Sequence, residues 1–124
     1  MIEVRNRQRR KVNTQRLRQL AAHLHRTGSL SIVLVSDRQM AELNLRYHDT
    51  PGPTDVLTFD YGGGQGEIIV SVDHAYERGR PARELALYVV HGILHLTGYD
   101  DRTPAQRRRM RAAERRWLAR LQKP

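Results

Sequence analysis

The sequence predicts a single α+β domain spanning residues 1–124, built on a four-stranded mixed sheet with helices packed against it. Three observations carry this reading. Short β-branched, apolar segments alternate with longer ones whose apolar residues recur at helical spacing, in the order β-α-β-α-β-β-α-α-α. Ser, Thr, Gly and Pro fall at the joints, where caps and turns need them. A chain of 124 residues suits one domain and can bury a core without staples.

The elements follow in order. Ile2 and Val4 alternate with Glu3 and Arg5, the pattern of a short strand with one buried face. A helix runs from about Thr14 to Arg26; Leu17, Leu20, Ala21 and Leu24 form its apolar stripe, and Gly28 ends it. Leu30 to Val35 is rich in β-branched residues and apolar on both faces, so it reads as a central strand covered on both sides. Ser36, with Gln39 completing a capping box, opens a second helix that turns Met40, Leu43 and Tyr47 toward the core. His48 to Pro53 is a loop. Asp55 to Phe59 and Glu67 to Val72 read as a hairpin joined through the glycine-rich stretch Tyr61 to Gly66. A short helix starts near Asp73. A longer one runs from Pro81 to Leu96 and ends at Gly98. Thr103-Pro104-Ala105-Gln106 opens the last helix, which reaches about Leu121 with Met110, Ala113, Trp117 and Leu121 inward.

Composition narrows the function. Without cysteine there are no disulfides, thiolate metal sites or cysteine nucleophiles, which suits a reducing cytoplasm. The N-terminal stretch lacks the apolar run of a secretory signal, and no apolar stretch is long enough to span a bilayer, so a cytoplasmic location without a membrane partner is expected. Lys and Arg total 22 against 13 Asp and Glu, a net charge of +9. Arginine supplies nearly all of the excess, clustered between Arg5 and Arg18 and again between Arg102 and Lys123. Guanidinium groups grip phosphate bidentately, so RNA or DNA is a natural partner; the alternative is a solvated, arginine-rich surface.

The chemistry concentrates in His91-Gly92-Ile93-Leu94-His95-Leu96-Thr97-Gly98-Tyr99-Asp100-Asp101. His91 and His95 are four apart on a helix, so both imidazoles leave one face and can share a cation. Val89, Val90, Leu94 and Leu96 bury this helix, and buried histidines need partners. Gly98 permits a left-handed turn that returns Tyr99, Asp100 and Asp101 toward the same face. Asp101 can supply an oxygen as third ligand, with Asp100 next in line. Two histidines and a carboxylate leave a fourth position open, as in a catalytic site. A metalloprotease of the His-Glu-x-x-His type carries its base directly after the first histidine; here that position is Gly92, which argues against peptide hydrolysis.

These residues resemble a known family. His91 to Asp100 is similar to the signature of the YbeY family of bacterial endoribonucleases and rRNA maturation factors. Pro53-Thr54-Asp55-Val56-Leu57-Thr58-Phe59 resembles its other signature, and Gly66-Glu67-Ile68 and Leu43-Asn44 fit as well. The resemblance covers about residues 40 to 117. It implies one zinc ion per chain, on the His-x-x-x-His helix. It also implies a metal-dependent, single-strand-specific endoribonuclease acting on rRNA, notably the 3′ end of 16S rRNA, and in ribosome quality control. The small ribosomal subunit is the implied partner. Two positions depart from the family. Asp101 stands where its third ligand is usually histidine, and an oxygen ligand there admits other divalent metals. His48 stands where an arginine usually serves the substrate phosphate, with Arg46 close enough to substitute. The alternative reading is a non-catalytic ribosome-assembly factor with a structural metal. Asp55 reads equally as a carboxylate partner of a ligand histidine or as a cap before its strand.

Overall fold

The computed structural model describes residues 1–25, 27–48 and 54–121, with the side chains of His48 and Leu121 outside that description. Its elements are β1 (Ile2–Asn6), α1 (Thr14–Leu24), β2 (Ser29–Val35), α2 (Asp37–His48), β3 (Val56–Gly62), β4 (Gln65–Ser71), α3 (Val72–Glu77), α4 (Pro81–Leu96) and α5 (Pro104–Leu121). The four strands form one mixed sheet in the order β1-β2-β4-β3. The pairs β1–β2 and β2–β4 are parallel, and β3 runs antiparallel to β4 along one edge. The expected α+β architecture is the one observed.

The sheet has two unequal faces. Strand residues of one parity, including Leu30, Ile32, Leu34, Ile68 and Val70, join the main core with residues of α1, α3, α4 and α5. The opposite parity, Val33, Val35, Leu57 and Ile69, is covered by α2 through Met40 and Leu43. β2 is therefore buried on both sides, as its unbroken apolar run requires.

Both capping boxes form. Ser36 Oγ accepts from Gln39 N at 3.2 Å while Gln39 Oε1 accepts from Ser36 N at 2.8 Å. Thr103 and Gln106 exchange the same pair at 3.1 and 3.0 Å, with Pro104 in the first turn of α5.

Details differ from the sequence reading. α2 runs through His48, where the sequence reading began a loop; the rest of that loop, to Pro53, lies outside the described residues. Tyr47 does not face the core: it lies at the far end of α2, 57% exposed, edge-on to Phe59 at 5.6 Å. Among the described residues α2 is the only helix packed on this side of the sheet, and it does so through Met40 and Leu43, earlier in the helix than Tyr47. The β3–β4 connection is also tighter than the stretch from Tyr61 to Gly66. Pairing continues to Gly62↔Gln65, because Gly62, Gly63 and Gly64 all take positive φ and close a bulged turn. Gly28, read as a helix stop, lies beyond the cap at His25. It is glycine because that turn presses on it, and a Cβ there would sit 2.0 Å from the Gly64 carbonyl oxygen.

Candidate metal centre

The site is built on the last two turns of α4 and the chain reversal after them. α4 closes with a Schellman motif: Tyr99 N bonds Leu94 O at 3.0 Å and Gly98 N bonds His95 O at 3.2 Å. Gly98 takes φ +110° at this reversal, a conformation that a side chain disfavours. The chain thus turns back over the helix, and Arg107 from α5 donates to the Asp101 carbonyl at 3.2 Å. Asp101 is thereby set beside both histidines.

His91 Nε2, His95 Nε2 and Asp101 Oδ2 form a triangle with edges of 3.1, 3.5 and 3.9 Å. Tetrahedral ligands at zinc–nitrogen and zinc–oxygen distances of about 2.1 Å stand about 3.4 Å apart, so the donor set fits a single cation of that size. Within this group all three ligand atoms lie within 4.8 Å of one another. Asp101 is the sequence-expected third member, and its side chain remains 46% exposed.

The opposite nitrogen of His91 is held from α5. His91 Nδ1 bonds Glu114 Oε2 at 2.5 Å. A carboxylate accepts here, so Nδ1 carries the proton and the Nε2 lone pair faces the other two donors. Burial pushes the His91 pKa down, but the hydrogen bond and charge of Glu114, aided by Asp101 and Asp55, outweigh it and leave the pKa raised. Sequence reasoning missed Glu114. Its signal was a single acid among arginines, one turn from Met110 and next to Ala113 on the inward face of α5. Asp55 lines the same cleft and acts on His91 through its charge, but the carboxylate hydrogen-bonded to His91 is Glu114.

The cleft in front of the three donors has a volume of about 430 Å³ and is walled by Thr58 and Asp60 of β3 and by Thr54 and Asp55 just before it. Gly92 explains why no glutamate follows His91. A Cβ there would stand 2.8 Å from the Ile68 side chain, so this position faces the sheet and not the cleft. Arg46 is placed elsewhere: it lines a groove on the α2 side of the sheet, together with Phe59 and Tyr61. The His48 side chain lies outside the described residues.

With this geometry in place, comparison with known proteins is decisive. A family model described as "Endoribonuclease YbeY" matches residues 2–122. The chain belongs to the YbeY family. Among curated relatives, a Rhodococcus opacus (strain B4) protein named Endoribonuclease YbeY is 39% identical over 107 residues, covering 70% of this chain and 59% of the relative. One of the same name from Mycolicibacterium smegmatis is 36% identical over 115 residues, covering 77% of this chain and 65% of the relative. The chain thus spans about three fifths of the length of the curated YbeY relatives it matches. The solution structure of TM1509 from Thermotoga maritima superposes with a TM-score of 0.71 at 25% identity, over 98% of this chain and 89% of that one. Among the described residues, no helix is long and apolar enough to cross a membrane.

Proposed function

We propose that this chain is a metal-dependent endoribonuclease cutting single-stranded RNA in rRNA maturation, including the 3′ end of 16S rRNA and ribosome quality control. The observation that carries the reading is the convergence of His91, His95 and Asp101 on one point at the floor of an open cleft, with the His91 ring locked by Glu114. The name shared by the relatives supports RNA cleavage as the chemistry. The net charge of +9 supports a polyanionic substrate. We infer that this substrate lies in the small ribosomal subunit and that the protein acts in the cytoplasm.

His91, His95 and Asp101 would hold one divalent cation, zinc by donor type, with the aspartate oxygen admitting harder metals. When bound, such a cation supplies a Lewis acid for a phosphodiester and lowers the pKa of water. The protein's own residues do the rest. Glu114 fixes the tautomer and orientation of His91. β3 supplies the cleft wall that confines the RNA backbone. Arginines of α5 such as Arg108 and Arg109 grip flanking phosphates without reading sequence. His48, or Arg46 from the same helix, would contact substrate phosphate; Arg46 lines the α2-side groove, so a contact from it would fall on phosphates away from the metal donors.

The test is metal content and cleavage measured together. The purified chain should carry one zinc and cut a defined single-stranded RNA, losing both with His95→Ala while its circular dichroism is unchanged. Undiminished cleavage by a folded, metal-free His95→Ala protein would sink the reading. Intact ribosome association without any cleavage by the parent protein would instead support a structural metal in an assembly factor.

A further inference from the structure

The groove on the α2 side of the sheet, about 590 Å³, belongs to neither the metal cleft nor the main core. Its floor is apolar, from Val33, Val35 and Ile69. Its rim carries aromatic rings: Phe59 and Tyr61 lie parallel, 6.4 Å apart with 7° between their planes, and Tyr47 meets Phe59 edge-on. Tyr61 is 62% exposed, yet its hydroxyl is tethered by donating to Glu67 Oε1 at 2.7 Å. Its ring is therefore presented to solvent and held in orientation. Arg5, Arg7 and Arg46 line the same groove against Glu42 and Glu67. Glu67 is already occupied by Tyr61, and Arg7 and Arg46 have no carboxylate partner among the described residues.

β3 links this groove to the metal cleft. Successive side chains of a strand leave opposite faces. Thr58 and Asp60 line the metal cleft, while Phe59 and Tyr61, one residue on from each, line the groove. β3 is an edge strand of the sheet, so a single chain leaving the metal cleft need pass over only one strand to reach the aromatic rings.

We propose that Phe59 and Tyr61 form a base-stacking platform for single-stranded RNA, receiving the nucleotides that flank those at the metal. Arg7 and Arg46 hold the backbone of those nucleotides. The proposal rests on the RNA reading of the metal site and extends it to a second, non-reacting subsite. Parallel rings suit bases in general, because every base has a π-face, and the neighbouring guanidinium groups suit the phosphates between them. The occupant is RNA by charge: Arg5 is paired with Glu3 and Glu67 is bonded to Tyr61, which leaves Arg7 and Arg46 beside Glu42 as the charges a ligand would meet, in a chain of net charge +9.

The test separates bases from phosphates. Binding of fluorescein-labelled oligouridylate, and of the same oligomer with abasic sites, is measured by anisotropy on chelator-treated protein, so that cleavage plays no part. Tyr61→Ala should weaken oligouridylate binding about five- to a hundred-fold and leave the abasic oligomer unchanged. Tyr61→Phe keeps the ring and loses only the hydroxyl, so it should bind within about two-fold of the parent by the same stacking argument. Arg7→Gln with Arg46→Gln should weaken both oligomers and flatten the salt dependence. Parental affinity of Tyr61→Ala for both oligomers overturns the platform and assigns this face to another partner. Equal losses for Tyr61→Phe and Tyr61→Ala also overturn it, since the ring would then be irrelevant. If the parent binds the oligomer but never cuts RNA, the endoribonuclease reading fails and a Tyr61→Ala loss still upholds the platform. If it cuts RNA and Tyr61→Ala is parental, only the platform fails.

Discussion

The two faces of the sheet divide the labour of the molecule. One is buried under α1, α3, α4 and α5 and holds most of the core; the other is partly roofed by α2 and keeps an open groove. The proposed metal donors, His91, His95 and Asp101, stand on the heavily covered side, where α4 is fixed by the sheet below and α5 beside it. A site that must keep three donors within a few tenths of an ångström needs such backing. A surface that stacks interchangeable bases needs exposed rings and tolerates a thinner core. Rigidity and accessibility are thus separated by one layer of strands.

Adjacent residues of β4 test this division most severely. Ile68 is fully buried beneath α4 and touches the Gly92 position; Ile69 faces the groove and is 6% exposed. Ile68→Ala should cost about 4 kcal/mol in urea denaturation, because the packed helices cannot collapse into the cavity. Ile69→Ala should cost about 2 kcal/mol, since one side of its pocket is already open. Equal losses would mean that α2 supports the sheet as strongly as the helices opposite, and the comparison would break.

Metal affinity sharpens the same contrast. Glu114→Gln keeps the size of the side chain but removes the charge that orients His91 and raises its basicity. Zinc affinity at pH 7 should fall about 10- to 100-fold, or about 1.4 to 2.7 kcal/mol, in competition with a chromophoric chelator. Because the His91 pKa is raised, protons compete for its ring at a higher pH than for an ordinary histidine. The parent's zinc affinity should therefore decline earlier on acidification than that of Glu114→Gln. A substitution on the other face, Tyr61→Ala, should leave zinc affinity unchanged. A shift there would couple the two faces more tightly than their packing suggests.

Much of the heavy face was legible in the sequence because its signals are local. Histidine spacing, the Gly98 reversal and the Thr103–Gln106 box each depend on residues within one or two turns, and each appears where those rules place it. Asp101 followed from Gly98, because the reversal had only a short segment to bring back. Glu114 was half legible: its place one turn from Met110 marks the inward face of α5, but it meets His91 across 23 residues, and helical periodicity cannot name a partner on another helix. Tyr47 failed for a different reason. Helical periodicity identified its side of α2, but not that Met40 and Leu43 carry the packing of that helix on the strands and leave Tyr47 mostly exposed. The parity of β3, which divides Thr58 and Asp60 from Phe59 and Tyr61, was implicit in the strand assignment. Its significance needed to know that both faces carry a cavity.

The smallest expected effect lies where the two faces are tied together. Asp73, in the first turn of α3, accepts from the Asp37 backbone N–H at 2.8 Å and from Arg10 Nε at 2.7 Å. Asp37 opens α2, and its carboxylate accepts from the buried Ser71 hydroxyl at 2.7 Å. The network thus pins the start of α2, on the groove side, to α3 on the other. The Asp37 backbone bond, then that of Arg10, hold the Asp73 carboxyl below its ordinary value. A depressed folded pKa stabilises the native state above the unfolded pKa of about 3.9 and loses that contribution as pH falls through the folded value. Asp73→Asn should therefore cost about 1 kcal/mol at pH 7, a figure discounted because Arg10 is about half exposed. The gap between parent and variant should narrow below pH 4 and close once the parent's Asp73 is protonated. Urea midpoints taken from pH 7 down to pH 3 would measure it. A gap that stayed constant across that range would show that Asp73 acts by shape rather than charge. The tie between the faces would then rest on Ser71 and Asp37 alone.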